Sequence, residues 1–362
     1  MQEILHPEPA LDPAALAQAE APPATLLAVL APEAPLRAVR ALVERLRLSG
    51  LAVAVYELGS GVLVLKDARP SDLAAAEPGE LVEHLITADT SWRLVRRDVV
   101  PAGSVVRIGP AAFGGRQFGV VAGPCAVESR AQILQSARLA AAAGVDLLRG
   151  GAFKPRTSPY SFQGLGMRGV ELLDEARQLT GLPYVTEVLD PADVEPMYPH
   201  VDAFQVGARN MQNYALLKAL ADLDKPILLK RGPSATLEEW LLAAEYLLAG
   251  GNDRVILCER GVRGFGNDTR FTLDLATMSL ARQATHLPVV VDPSHATGDP
   301  KLVIPMACAA MAAGADGVMV EFHPRPEQAL SDGAQALVPG ELEALMLRLG
   351  ALAPAMGRTV GR

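Results

Sequence analysis

Eight apolar runs, each followed by a stretch of helical periodicity, fill the last two thirds of this chain. Continuous apolar runs of this length are typical of strands that are buried on both faces of a parallel sheet. The runs are FGVVAG, VDLLRG, LPYVTEV, DAFQVG, PILLKRG, RVILCER, LPVVVDPS and DGVMVEFHP. Eight strand and helix units over roughly 240 residues predict a (β/α)8 TIM barrel. The alternative is an open doubly wound sheet, which rarely runs through eight consecutive units.

A smaller pattern precedes the barrel, over residues 24–99. It reads as a strand in TLLAVLA, a helix in EAPLRAVRALVERLRLSG, and two strands, LAVAVYEL and VLVLKD, joined around GSG. SDLAAAEPGELVEHL then indicates a helix in two pieces, and SWRLVRRD a last short strand. The order β-α-β-β-α-β predicts a small ferredoxin-like α+β domain.

The remaining residues divide between a tail and the start of the barrel domain. Residues 1–23 are rich in Pro and Ala and are predicted to form a flexible tail. The barrel domain is predicted to span residues 100–362. It should open with an N-terminal β-hairpin, in which VVRIG and FGVVAG are joined by the Gly-rich turn AAFGGR.

Charge and cysteine content limit the partners and the compartment. The formal net charge is −8 over 362 residues, so no overall basic field exists to hold nucleic acid or an anionic membrane. Three cysteines at wide spacing, Cys125, Cys258 and Cys308, argue against a disulfide framework and for the reducing cytoplasm. The first residues lack the basic and apolar regions of a secretory signal, and no apolar run reaches membrane-spanning length.

Four side chains of metal-ligand type follow the predicted barrel strands. Cys125 lies in GPCAVES, His295 in DPSHATG, Glu321 in MVEFHP, and Asp332 in the loop after it. A lone Cys is usually a small buried hydrophobe and a lone His is usually structural. Four compatible ligands at the strand ends where barrel enzymes place their active sites are harder to explain by packing. Sulfur, nitrogen and oxygen together suit one divalent metal ion of the Mn, Fe, Co or Zn class.

Cations gather at the same predicted strand ends. They are Arg149, Lys154, Arg156, Arg209, Lys230 and Arg260. Mutual repulsion among them would be relieved by a bound anion, and guanidinium groups match phosphate and carboxylate oxygens in bidentate geometry. The sequence therefore predicts substrates that carry several negative charges, at least one of them a phosphate.

Several motifs, taken in order, carry a family resemblance. They are GPCAVES, LRGGAFKPRTSPYSFQGLG, TEVLD, QVGARNMQN, LLKRG, LCERGVRGF, DPSHATG and EFHPRPEQALSDG. Over about residues 102–350 the chain resembles the 3-deoxy-D-arabino-heptulosonate 7-phosphate (DAHP) synthases of the type I beta branch. The resemblance implies condensation of phosphoenolpyruvate with erythrose 4-phosphate and water, which releases phosphate at the entry of the shikimate pathway.

The resemblance also implies roles for individual residues. Cys125, His295, Glu321 and Asp332 would bind the metal, which would act on the sugar aldehyde. Catalytic residues would be Lys154, a candidate general acid, together with Cys125 and His295. Arg149, Arg209, Lys230 and Arg260 match the phosphoenolpyruvate positions, and Arg156, Thr157 and Ser158 the erythrose 4-phosphate positions. The expected substrate-binding set comprises Arg149, Lys154, Arg156, Thr157, Ser158, Glu187, Arg209, Lys230, Arg260 and Asp332.

Three other functions remain open at this point. A 3-deoxy-D-manno-octulosonate 8-phosphate synthase would use a five-carbon sugar phosphate, but such enzymes typically have Asn before the Arg where this chain has KPRTS. A Schiff-base aldolase could use Lys230, a strand-end lysine among other cations. A non-catalytic ligand sensor would need at least one metal ligand replaced, and none is.

The predicted N-terminal domain points to regulation by resemblance alone. Related enzymes with this domain are inhibited by Tyr or Phe, which bind between regulatory domains of neighbouring subunits. The resemblance therefore implies an aromatic amino acid effector and a homotetramer. The alternative is a domain that serves only oligomerisation or stability. Neither the effector nor the native metal can be identified from these residues.

Overall fold

The chain divides into two compact units, and the boundary falls between Pro101 and Ala102. The structure is a computed structural model that describes residues 22–361. The predicted flexible tail, residues 1–23, therefore lies outside the described residues except for its last two positions.

The first unit is a four-stranded antiparallel sheet with two helices. Its elements are β1 (Ala24–Leu30), α1 (Leu36–Leu48), β2 (Ala52–Tyr56), β3 (Val62–Ala68), α2 (Pro70–Ala75) and β4 (Val82–Thr87). The strand order is β2-β3-β1-β4. Apolar residues of α1, such as Leu42 and Leu46, pack with Leu26 and Leu63 of the sheet in one buried cluster. This is the predicted ferredoxin-like order of elements, and the helix packs on one face of the sheet.

The last strand of this unit lies earlier than the sequence pattern predicts. VEHLIT, whose first four residues were predicted to end a helix, forms β4 and pairs with β1. Pro78 begins a short 3-10 turn just before the strand, and from there the chain is extended, with Val82 and Ile86 buried. The predicted strand SWRLVRRD, residues 91–98, is wrong, because these residues form turns and a short 3-10 segment.

The second unit begins with a hairpin, but its second strand differs from the prediction. β5 (Val106–Ile108) pairs with β6 (Ala111–Phe113), inside the segment predicted to be the turn. The two glycines that follow, both at positive φ, turn the chain into the first barrel strand. Val106 and Phe113 share one buried cluster with residues of the barrel strands, so the hairpin packs against the barrel interior.

The rest of the second unit is a closed parallel barrel, as predicted. Its strands are β7 (Gln117–Gly123), β8 (Leu147–Arg149), β9 (Tyr184–Val188), β10 (Ala203–Val206), β11 (Ile227–Lys230), β12 (Val255–Glu259), β13 (Val289–Val291) and β14 (Gly317–Glu321). Each strand pairs with the next, and β14 pairs with β7 to close the barrel. A short strand, β15 (Thr359–Val360), adds to β7.

Helices follow the barrel strands. They are α3 (Arg130–Ala142), α4 (Met167–Thr180), α5 (Pro191–Met197), α6 (Tyr214–Ala221), α7 (Leu237–Ala249), α8 (Leu275–Ala284), α9 (Pro293–Thr297), α10 (Pro300–Ala312) and α11 (Pro339–Leu352). Within residues 22–361, none is long and apolar enough to cross a membrane. Because all eight barrel strands point the same way, the loops after them meet at one end of the barrel.

Candidate active site

Four potential metal ligands meet at the carboxyl end of the barrel. Cys125, His295, Glu321 and Asp332 each contribute one ligand atom, and these atoms all lie within 4.8 Å of one another. The Cys125 thiol donates to Asp332 Oδ2 at 3.1 Å. The Nε2 atom of His295 lies 3.2 Å from Glu321 Oε1. The four residues predicted from separate strand ends therefore form one cluster.

The protein holds His295 in the orientation of a metal ligand. Asp292, which is fully buried, accepts a hydrogen bond from His295 Nδ1 at 2.7 Å. Burial opposes ionisation of Asp292, but His295 and Lys230 outweigh it and hold its pKa well below the usual range. An ionised carboxylate only accepts hydrogen bonds, so Nδ1 donates to Asp292, and this bond orients the ring with Nε2 towards the cluster.

The electrostatics of the other ligands also suit a bound cation. Burial, reinforced by Glu321, raises the pKa of the Cys125 thiol to about 12. Burial opposes ionisation of Glu321, yet His295 and Arg149 keep its pKa well below the ordinary value. A divalent cation would favour the thiolate and displace its proton. The mixed sulfur, nitrogen and oxygen donors therefore fit a borderline divalent metal.

Asp332 is held by backbone geometry as well as by contacts. Its φ of 52° lies in the left-handed region, which a residue other than glycine rarely adopts. The neighbouring Ser331 hydroxyl lies 3.0 Å from the Cys125 sulfur. Such uncommon backbone conformations persist where surrounding structure maintains them, and they cluster at functional sites.

A cavity of about 460 Å³ opens beside the four ligands. Eight cationic side chains and two carboxylates line it. The cations are Arg149, Lys154, Arg156, Arg209, Lys230, Arg260, Arg263 and Arg270, and the carboxylates are Glu187 and Asp332. Thr157, Ser158 and His295 also line the wall. Every residue of the predicted substrate-binding set thus borders one cavity, while Cys125 and Glu321 are buried and do not line it.

Two of these cations are paired with buried carboxylates. Arg149 donates to Glu321 Oε1 at 2.7 Å, and Lys230 donates to Asp292 Oδ2 at 2.6 Å. Because Lys230 is held in a buried ion pair with Asp292, the geometry disfavours the Schiff-base alternative, which needs an unpaired lysine side chain.

Lys154 lies between the metal ligands and the cavity. Its ammonium donates to the Cys125 carbonyl oxygen at 3.2 Å. Burial opposes its charge, but Cys125 and Glu187 raise the pKa of Lys154 above the ordinary value. Lys154 therefore carries a proton that it can donate inside the cavity.

Four other cations of the cavity have no carboxylate partner within the described residues. They are Arg156, Arg209, Arg260 and Arg263. Arg260 is held over the ring of Phe271, 4.4 Å from its centre, and burial lowers its pKa. Unpaired guanidinium groups that are aligned along one cavity make a site for phosphate and carboxylate oxygens.

Sequence reasoning missed several contacts of this site. Arg263 and Arg270 share the loop of Arg260, so their place after the same strand was an available signal. Asp292 lies in the DPSH motif, three residues before His295. Gln335 donates to Glu321 Oε2 at 2.6 Å, and no pattern in the sequence marks it.

Comparison with known proteins agrees with this fold. The sequence profile of the DAHP synthetase I family matches residues 104–356. The phospho-2-dehydro-3-deoxyheptonate aldolase of Thermotoga maritima is 46% identical over 278 residues, covering 77% of this chain and 82% of that protein. A 2-dehydro-3-deoxyphosphooctonate aldolase of Acidithiobacillus ferrooxidans is 33% identical over 248 residues, covering 63% of this chain and 87% of that protein.

Two solved structures are similar as well. A crystal structure of phospho-2-dehydro-3-deoxyheptonate aldolase (DAHP synthase) from Thermotoga maritima has a TM-score of 0.74 at 40% identity, covering 93% of this chain and 100% of that chain. A truncated form of the Thermotoga maritima 3-deoxy-D-arabino-heptulosonate 7-phosphate synthase has a TM-score of 0.70 at 43% identity, covering 75% of this chain and 100% of that chain.

Proposed function

The chain belongs to the DAHP synthetase I family, and on this basis we propose that it condenses phosphoenolpyruvate with D-erythrose 4-phosphate. Water enters the reaction, and the products are 3-deoxy-D-arabino-heptulosonate 7-phosphate and inorganic phosphate. The observation that carries the proposal is a cavity lined by eight cations directly beside a Cys, His, Glu and Asp cluster. Two phosphorylated substrates supply the anions that such a cavity needs.

The two substrates divide the cavity between them. Arg149, Arg209, Lys230 and Arg260 surround phosphoenolpyruvate, whose phosphate and carboxylate match their charge. Arg156, Thr157 and Ser158 hold the phosphate of erythrose 4-phosphate, with Glu187 and Asp332 near the sugar. All these residues border one cavity, and their division between the two substrates follows the family resemblance.

The reaction forms one carbon-carbon bond and, at C2, replaces the carbon-oxygen bond to phosphate by one to water oxygen. C3 of phosphoenolpyruvate attacks the aldehyde carbon, and Lys154 donates a proton to the developing alkoxide. Water adds at C2 and its released proton restores Lys154; the phosphohemiketal then collapses by carbon-oxygen cleavage, and its hydroxyl proton leaves with the phosphate. The unpaired arginines stabilise the negative charge as it moves.

Cys125, His295, Glu321 and Asp332 would hold one divalent metal ion of the Mn, Fe, Co or Zn class. When bound, this ion supplies Lewis-acid polarisation of the sugar aldehyde. Asp292 keeps the His295 lone pair directed to that place, and Arg149 fixes the Glu321 carboxylate.

A two-substrate assay tests the activity. The purified chain is incubated with phosphoenolpyruvate and either erythrose 4-phosphate or arabinose 5-phosphate, and phosphate release is measured with and without chelator. We expect turnover with erythrose 4-phosphate, loss of this activity when chelator is added, and recovery of the activity when Mn²⁺ is restored. Preference for arabinose 5-phosphate would favour the 3-deoxy-D-manno-octulosonate 8-phosphate synthase alternative. Turnover that persists with chelator would refute the proposed role of the metal.

We propose that the first unit regulates the second, with Tyr or Phe as feedback inhibitor in a cytoplasmic homotetramer. The solved relative that covers 93% of this chain extends beyond the barrel unit, whereas the truncated relative covers 75%. Deleting residues 1–98 should retain activity and abolish inhibition. Inhibition that persists in the truncated enzyme would refute the regulatory role, and light scattering of the full chain tests the tetramer.

A further inference from the structure

A buried glutamine contacts the metal-ligand cluster at the Glu321 oxygen that Arg149 does not contact. Gln335 Nε2 donates to Glu321 Oε2 at 2.6 Å, and the residue is only 3% exposed. Its amide oxygen accepts from Arg270 NH1 at 2.8 Å. Arg270 NH1 also lies 3.5 Å from Asp332 Oδ1, so one guanidinium contacts both Gln335 and a second ligand.

The two partners leave the Gln335 amide only one orientation. An arginine side chain only donates, so it must meet the amide oxygen, and an ionised carboxylate only accepts, so it must meet the amide NH₂. The reversed amide would place donor against donor and acceptor against acceptor. Arg270 therefore determines which end of the Gln335 amide reaches Glu321.

This contact separates the roles of the two Glu321 oxygens. Oε1 faces His295 Nε2 at 3.2 Å and Arg149 NH1 at 2.7 Å, whereas Oε2 is occupied by Gln335. A neutral amide occupies Oε2 without adding a second full positive charge, so the carboxylate keeps more attraction for a cation than it would between two guanidiniums. Gln335 also ends the 3-10 turn Gly333–Gln335 that starts directly after Asp332, so the same bond ties the Asp332 loop to β14.

We propose that Gln335 is a positioning residue that holds Glu321 with Oε1 towards the metal ligands, and that Arg270 fixes the direction of its amide. The proposal rests on the metal role of the cluster in the proposed function. Hydrogen-bond partners of metal ligands commonly change metal affinity by about 10- to 100-fold when they are removed. A buried glutamine that only satisfied its own polar atoms would leave the metal affinity unchanged.

The test replaces the amide by a side chain of similar length without hydrogen bonds. Gln335→Met is compared with Gln205→Met, a matched control, because Gln205 is 5% exposed and donates at 3.4 Å to Glu187, which is not a metal ligand. The affinity of the full chain for Mn²⁺ is measured by chelator competition, and the absorption of the Co²⁺ form reports the ligand geometry. Thermal midpoints of the metal-free proteins monitor folding.

We expect Gln335→Met to weaken Mn²⁺ binding by about 10-fold or more and to alter the Co²⁺ spectrum. Gln205→Met should change the Mn²⁺ affinity by less than about two-fold, because Gln205 contacts none of the four metal ligands. Arg270→Met should weaken binding by less than Gln335→Met, since the amide donor remains. If the wild type binds metal and Gln335→Met shows the same Mn²⁺ affinity and the same Co²⁺ spectrum, the positioning role of Gln335 is overturned, while the metal site itself stands. Absence of Mn²⁺ and Co²⁺ binding in the wild type would instead overturn the metal site on which it rests.

Discussion

Asp292→Asn should weaken metal binding and destabilise the fold together. One oxygen of Asp292 accepts from Lys230 Nζ at 2.6 Å and from His295 Nδ1 at 2.7 Å, and the other accepts from the His295 backbone N–H at 3.0 Å. An asparagine has one acceptor oxygen for these three donors. In either orientation, its NH₂ group faces at least one donor. The change keeps the side-chain shape, and with the amide oxygen towards the His295 backbone N–H it keeps the helix cap of α9, so the effect comes from the lost charge and the lost acceptor for Lys230 and His295 Nδ1.

The magnitude follows from the buried pair. Removing one partner of a buried ion pair costs about 3–5 kcal/mol, because the remaining charge stays unpaired. For a domain of this size the loss corresponds to a drop of roughly 6–20 °C in thermal midpoint. Loss of the carboxylate behind His295 should also weaken metal binding by about 10- to 100-fold.

The control is Asp274→Asn, at another helix-capping aspartate. Asp274 accepts from the Thr277 backbone N–H and pairs with Arg231, which keeps its second partner, Glu259. We expect this change to cost less than about 1 kcal/mol and to leave metal affinity unaltered, because the pair is partly exposed and the arginine stays paired. The assays are thermal melting of the metal-free chain and chelator competition for Mn²⁺. Equal thermal midpoints and equal Mn²⁺ affinities for Asp292→Asn and Asp274→Asn would refute the proposed role of Asp292 in stability and metal binding.

Two further predictions concern thiols and glycines. In the folded, metal-free chain at pH 8, a thiol reagent should modify the partly exposed Cys308 first. Burial protects Cys125 and Cys258 from the reagent and raises the pKa of each thiol. Modification of Cys125 as fast as Cys308 would contradict this burial. Gly123→Ala should destabilise the barrel by about 3 kcal/mol, the upper end of the usual cost of overpacking, because a Cβ there would lie 2.0 Å from the Arg149 carbonyl oxygen. Gly181→Ala, at φ +71° with open space around it, should cost only about 1–2 kcal/mol for the left-handed backbone. Equal thermal midpoints for the two alanine variants would show that the close approach of the Arg149 carbonyl oxygen to Gly123 leaves room for a Cβ.

The sequence predicts the barrel well because its signal is local. A strand that is buried on both faces needs a continuous apolar run, and a surrounding helix needs an apolar stripe, so both patterns are visible without knowing the partner segment. Parallel strands then place the following loops at one end, so residues such as Cys125 and His295 could be assigned to a common site from their positions alone.

Where local signals are ambiguous, the prediction fails. VEHLIT has apolar residues three and four apart, as a helix would, but its pairing with β1 makes it β4. AAF was predicted as part of a turn, yet its burial against the barrel interior makes it a hairpin strand. Short apolar segments of this kind take their structure from the surface on which they pack.

By itself, then, the sequence determined the (β/α)8 order, the four ligand types and the cationic mouth of the cavity. Only the tertiary structure decided how those side chains pair. Arg149 and Glu321 are 172 residues apart in sequence yet lie in direct contact, and Gln335 reaches Glu321 from the Asp332 loop. The physical reason is that strand and helix patterns arise from neighbours along the chain, whereas the partner of a charged or amide group is set by which loops the closed barrel brings together.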